Sequence, residues 1–163
     1  METHSFFGGH DLEKLNSSLF IEMERINKNQ VIAKIISNGI PHSFPTGDLF
    51  RTLRVSFRDK KTKKYLGDLS LKKDYIDLKS SDDPNSPSMI LLADNRISPP
   101  INGHSSHAEF VLNISEEFDE IEAEMYMDYL FGLNRLVTKL PDNITLLKFK
   151  IVNIRLKSPK DSG

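Results

Sequence analysis

Short runs in which apolar and polar residues alternate with a period of two, cut apart by turn-forming clusters, fill most of this chain. That pattern dictates antiparallel strands with one buried and one wet face. Leu19, Ile21 and Met23 alternate with Phe20, Glu22 and Glu24, and Val31 to Ile36 follows after the polar turn Asn27-Lys28-Asn29, so the pair reads as a hairpin. Leu49, Leu53, Val55 and Phe57 share one face of the next run, opposite Arg54, Ser56 and Arg58. Lys60-Lys61-Thr62-Lys63-Lys64 then turns the chain into Tyr65 to Leu71, a second hairpin with a lysine-rich tip in solvent. Further strands are expected at Tyr75 to Leu78, Ile90 to Leu92, His107 to Ile114, Ile121 to Leu133 and Leu146 to Lys157. The clusters Ser80 to Ser88 and Pro99 to Gly103 are loops. Asp11 to Ser18 reads as one or two helical turns with Asp11 as N-cap, and Asn134 to Leu140 is ambiguous. The expected fold is all-β: an antiparallel, Ig-like β-sandwich over residues 19–158, with a short irregular or helical N-terminal segment over 1–18 and a tail over 159–163.

At 163 residues the chain can bury roughly two-thirds of its unfolded surface, so it needs neither disulfide nor metal to fold. It contains no cysteine, which excludes disulfides, thiolate metal centres, thiol nucleophiles and covalent attachment of haem c within these residues. A net charge of −1 argues against a bulk electrostatic hold on nucleic acid or anionic membrane. The apolar run Met89 to Ala93 is strand-sized, far short of the roughly 18 residues of a membrane span. Residues Met1 to His10 lack a basic n-region and an apolar h-region, so this segment holds no signal peptide. Either the protein is cytoplasmic, or this is part of a longer exported one.

Charge is balanced globally but not locally. Residues 51–64 carry seven bases and one acid, and residues 116–128 carry seven acids and no base. One reading is a dipolar surface that docks and orients a charged partner. The other is ordinary solvated strand faces and guarded edges.

Histidine is the main candidate for chemistry near neutral pH. His4 and His10 bracket Phe6-Phe7-Gly8-Gly9, and His104 and His107 form an H-x-x-H pair. That pair would hold a metal only if the loop coils, because i and i+3 in a strand point to opposite faces. His42 lies in Pro41-His42-Ser43-Phe44-Pro45-Thr46-Gly47-Asp48, where prolines on both sides restrict the backbone. An imidazole held this way loses little entropy on engaging a ligand. The competing reading is a rigid inter-strand corner whose histidine bonds a backbone carbonyl. There is no G-x-S-x-G elbow, H-E-x-x-H helix, P-loop or dinucleotide fingerprint.

The run Asn38-Gly39-Ile40-Pro41-His42-Ser43-Phe44-Pro45-Thr46-Gly47-Asp48, followed by Arg51-Thr52-Leu53-Arg54-Val55, resembles the N-x-G-x-G-H-x-F-P-T-G…R-x-L-x-V signature of the β-rich C-terminal domain of multihaem c-type cytochromes. His4-Ser5-Phe6-Phe7-Gly8-Gly9-His10-Asp11 is similar to the H-x-F-x-G-G-H-D stretch after the last C-x-x-C-H of such proteins. Asp94-Asn95-Arg96-Ile97-Ser98-Pro99 resembles their D-T-R-I-x-P-G-E turn. Ala123 to Phe131 and Leu146 to Leu156 resemble the closing strand pair. The departures are the absent C-x-x-C-H, Pro41 in place of a small residue, and Pro99-Pro100-Ile101-Asn102-Gly103 in place of P-G-E.

The resemblance implies a haem-free domain that supports electron transfer, not an enzyme. His42, and His4 or His10, would be distal axial ligands to haem c held by a parent region or a redox partner protein. Pro45, Thr46, Gly47, Arg51, Asp94 and Arg96 would support the motif. It further implies a docking surface and a periplasmic or extracellular location. The alternative is a stand-alone sandwich that binds a protein or a glycan. A metal hydrolase built on the histidines is a third reading.

Overall fold

Period-two alternation carries through the computed structural model, which describes residues 12–45, 51–77, 89–102, 104–114, 118–129 and 146–156. Helix α1 (Leu12–Ser18) leads directly into β1 (Leu19–Asn27), and β2 (Gln30–Ser37) returns beside it. The remaining strands are β3 (Thr52–Asp59), β4 (Tyr65–Leu71), β5 (Lys73–Asp77), β6 (Met89–Asp94), β7 (Ser106–Asn113), β8 (Glu120–Asp128) and β9 (Leu146–Arg155). Among the described residues they form a three-stranded sheet β1-β2-β7, a four-stranded sheet β4-β3-β8-β9 and a ribbon β5-β6. Every pairing is antiparallel. The protein is an all-β sandwich with a short N-terminal helix, as the alternation requires.

One apolar core joins the two larger sheets. Val31, Ala33 and Ile35 of β2, Leu53, Val55 and Phe57 of β3, and Ile121, Ala123 and Met125 of β8 are all 0% exposed. Burying each large side chain among them stabilises the fold by about 1.5–3 kcal/mol. Odd-numbered residues of β2, β3 and β8 face inward, and the even-numbered ones between them are half-buried on the outer faces. A one-residue slip in register would invert that partition, so the pairing is strongly specified. Leu15 of α1 is buried in the same core, which sets the helix against the sandwich.

Local chemistry closes the turns. Asn27 Oδ1 accepts the Asn29 amide at 2.8 Å, which shapes the β1–β2 hairpin. The Asp59 carboxylate accepts both the amide and the hydroxyl of Thr62, and Lys63 takes φ 61° to complete the β3–β4 turn. Lys150 of β9 donates its ammonium to the carbonyls of Asn16 at 2.7 Å and Leu19 at 2.6 Å. A cation is thereby placed on the carbonyls at the end of α1, where the helix dipole favours it. Burial lowers the Lys150 pKa.

Several strand boundaries differ from expectation, and for two of them the ladder gives the reason. β8 stops at Asp128, where its ladder to β3 ends at Thr52↔Asp128, and Tyr129 lies outside the strand; residues 130–133 of the expected run lie outside the described residues. β5 starts at Lys73, two residues early, because Lys73 pairs with Asp94 of β6. Leu49 and the Asn134 to Leu140 stretch lie outside the described residues.

Candidate functional site: the proline-braced histidine loop

The chain leaves β2 at Ser37, and the Asn38 amide at once donates to the Ser18 carbonyl at 2.9 Å. Gly39 follows with φ 77°, a left-handed conformation that disfavours any side chain, so the Asn38-Gly39 turn depends on glycine. Ile40 is then buried, Pro41 and His42 are exposed, Ser43 is half-buried, and Phe44 and Pro45 are buried. The loop is thus sunk into the core at Ile40 and Phe44, with His42 presented to solvent between the two anchors.

Residues 94–97 hold the far anchor. Phe44 and Ile97 exchange two backbone hydrogen bonds of 2.9 Å each, an isolated antiparallel bridge. The Arg96 guanidinium donates to both Asp94 oxygens, at 2.8 and 2.7 Å, and to the Pro45 carbonyl at 3.2 Å. Hydrogen bonding to Arg96 holds the Asp94 carboxyl below its usual range, and the same contact raises Arg96. Both groups therefore stay ionised across the neutral range. Asn95 ties the segment to the main sandwich: its amide nitrogen Nδ2 donates to the Ser70 carbonyl at 2.9 Å and its Oδ1 accepts the Lys72 amide at 2.7 Å. The Phe44–Pro45 peptide is cis.

Two segments singled out separately in the sequence, around His42 and at Asp94 to Pro99, are therefore one structural unit. Asp94 and Arg96 reach Pro45 through the guanidinium. Arg51 has its guanidinium carbon 5.8 Å from the Tyr129 ring centre. Thr46 and Gly47 lie outside the described residues, as do His4 and His10. Nothing in the sequence marked Asn95 as the joint to β4. An Asn between two charged motif residues, matching a Thr in the resembled turn, was the available signal.

His104 and His107 are placed apart from this loop in the chain, before and within β7. His104 donates its backbone amide to the Ile101 carbonyl at 3.1 Å. His107 sits opposite Ile36 in the ladder, exposed, with Nε2 3.9 Å from the Glu109 carboxylate. Among the described residues no group of three or more His, Asp or Glu side chains is arranged to hold a metal ion.

The basic and acidic stretches turn out to be strand partners. β3 pairs with β8 so that Arg58 faces Glu122 and Ser56 faces Glu124. Lys60 meets Glu120 at 2.7 Å, Lys63 meets Glu122 at 2.7 Å, and Lys148 from β9 meets Glu124 at 2.8 Å. Much of the charge polarity visible along the sequence is neutralised within the molecule by register.

No family model matches the sequence, and no curated protein does either. Among solved structures, a penta-haem cytochrome c552 from Thermochromatium tepidum superimposes with a TM-score of 0.62 at 18% identity, over 91% of this chain and 42% of that one. What the two share is a fold. The chain spans less than half the length of that cytochrome. No helix among the described residues is long and apolar enough to cross a membrane.

Proposed function

We propose that this chain is a haem-free β-domain of a multihaem c-type cytochrome system, supporting electron transfer by presenting His42 as a distal axial ligand to a haem attached elsewhere. The observation that carries the reading is the loop itself. The backbone on both sides of His42 is fixed by buried Ile40, by the Phe44–Ile97 bridge and by Arg96, while His42 remains exposed. Neutral imidazole binds haem iron through one nitrogen, and a partner at the other nitrogen tunes the iron's potential. A loop anchored in this way keeps the entropic cost of ligation low. The fold shared with a penta-haem cytochrome supports the same reading. With no cysteine, this chain attaches no haem c, so the haem belongs to a parent region or to a partner protein.

His4 or His10 is proposed as a further ligand on the resemblance alone. The location that fits is periplasmic or extracellular, and the domain's role is ligation and docking, with no catalytic step of its own. The test is His42→Ala in the haem-bearing protein that contains or binds this domain. One haem is expected to lose its low-spin Soret signature and to shift in potential, while the far-ultraviolet dichroism of the β-domain stays the same. Unchanged spectra and potentials would sink the ligand assignment, as would a genomic setting with no C-x-x-C-H protein to partner the chain.

A further inference from the structure

The outer face of the four-stranded sheet carries a groove of about 320 Å³, at the lower end of the roughly 300–1,000 Å³ typical of ligand pockets. Its lining includes Arg54, Ser56, Arg58, Tyr65, Asp68 and Tyr126. Strand register explains the arrangement. Ser56 lies between Asp68 of β4 and Glu124 of β8, Arg54 lies between Ser70 and Tyr126, and Arg58 lies between Tyr65 and Glu122. A small side chain at the centre of a row of long ones leaves a depression, with a guanidinium residue at each end and a tyrosine beside each guanidinium.

The polar groups here are only partly committed. The Arg58 side chain makes no hydrogen bond or ion pair among the described residues, though its charge acts on Glu124 and on the Tyr65 hydroxyl. Arg54 has a 3.9 Å contact to buried Asp128. Asp68 accepts the Tyr65 hydroxyl at 2.6 Å on Oδ1. Glu124 is taken up by Lys148 and by the Tyr126 hydroxyl. Tyr65 is 54% exposed, which leaves its ring open to a ligand.

Charge decides which ligand class fits. An anion seated over Ser56 would lie beside the cross-strand carboxylate of Asp68, whose Cβ is about 4.5–5.5 Å from that of Ser56 by sheet geometry, while Glu124 on the other side is already paired with Lys148. A cation would meet Arg54 and Arg58. A neutral polyol meets neither penalty, because each hydroxyl both donates and accepts. It satisfies guanidinium donors at the ends and a carboxylate acceptor at the side, and an apolar C–H face can lie on the exposed Tyr65 ring, whereas the Tyr126 ring carries the Lys148 ammonium at 5.4 Å. We propose that this groove binds a neutral saccharide, held by the Arg54 and Arg58 guanidinium groups, Asp68 and the Tyr65 ring. The site is separate from the His42 loop and does not depend on the haem-ligand reading.

The test is titration of the ¹⁵N-labelled full chain with cellotetraose, laminaritetraose and N-acetylchitotetraose in turn, with citrate and phosphate as anionic comparisons. At least one sugar is expected to give saturable amide shifts confined to β3, β4 and β8, with a Kd on the order of 1 mM or tighter. Tyr65→Ala is expected to weaken that sugar about tenfold, by loss of ring contact area. Arg58→Lys keeps the charge and loses the planar fork, and is expected to weaken binding as well. Lys34→Ala on the opposite sheet leaves binding unchanged, and retained dispersion in each spectrum shows that the variants fold. The proposal is overturned if none of the three sugars gives saturable shifts in the groove, or if citrate or phosphate perturbs it more strongly than any sugar. Sugar binding that survives both Tyr65→Ala and Arg58→Lys overturns it too.

Discussion

Replacing Arg96 by alanine removes at once three hydrogen bonds: the 3.2 Å bond to the Pro45 carbonyl that joins residues 94–97 to the histidine loop, and the 2.8 and 2.7 Å bonds to Asp94 that orient the guanidinium for it. The Arg96 side chain is 15% exposed and that of Asp94 is 34% exposed. A partly buried bond from a charged donor to a carbonyl falls in the class worth about 1.5–3 kcal/mol. The ion pair, with one partner wet, adds at most about 1 kcal/mol. The expected loss is therefore about 1.5–4 kcal/mol, centred on the Phe44–Ile97 bridge and leaving the sandwich core intact. Urea unfolding reads the total, and the slope should not change, because the surface exposed on unfolding stays the same. Amide exchange reads the location: the Phe44 and Ile97 amides, each bonded to the other residue's carbonyl, should lose protection, while Val55 and Met125 should not. Arg96→Lys keeps the charge but not the fork, and should fall between wild type and alanine. Unaltered protection at Phe44 and Ile97, with a loss below about 0.5 kcal/mol, would refute the view that Arg96 fixes the loop.

Phe57→Ala removes the largest of the fully buried side chains, from the centre of the four-stranded sheet, and is expected to cost about 3–5 kcal/mol in urea unfolding. A loss under about 1.5 kcal/mol would mean that the core collapses around the gap. Acid should destabilise the protein through carboxylates held below their ordinary values: Asp59 by Thr62, Asp94 by Arg96, Glu120 by Lys60, and Glu124 by Lys148. With folded-state values depressed, the stabilisation is present above the ordinary values of 3.8 for Asp and 4.5 for Glu and is lost as pH falls through the lower folded-state values. The urea midpoint should therefore drop steadily from about pH 5 toward pH 2, and Asp59→Asn should make that drop shallower. An equal slope in Asp59→Asn and wild type would show that Thr62 does not favour the ionised carboxylate.

Fold class was legible because strand periodicity is a local property. Leu19, Ile21, Val31, Ala33, Ile35, Leu53, Val55 and Phe57 are inward in the structure as the alternation requires, and the polar cluster at residues 27–29 closes the first hairpin. Strand ends were less legible. β8 stops at Asp128, where its ladder to β3 ends, a fact about a strand some seventy residues away in the chain and invisible in the local pattern. The candidate site was half legible. Prolines around His42 pointed to a stiff loop, but its second anchor comes from Ile97 and Arg96, and only strand topology brings those residues to Phe44 and Pro45.

The sequence by itself determined that the chain folds as a β-sandwich and attaches no haem c, because alternation and the absence of cysteine are properties of composition and order. Tertiary structure decided what the charges do. Residues 51–64 and 116–128 look like opposite poles when read along the chain, yet β3 and β8 lie side by side, and lysines of the β3–β4 turn pair with glutamates of β8. The same register places Arg54 and Arg58 on either side of Ser56 and opens the groove between Tyr65 and Tyr126. Coulomb interactions fall off with distance in space, not in sequence. Only the pairing of strands could say which of these charges would meet.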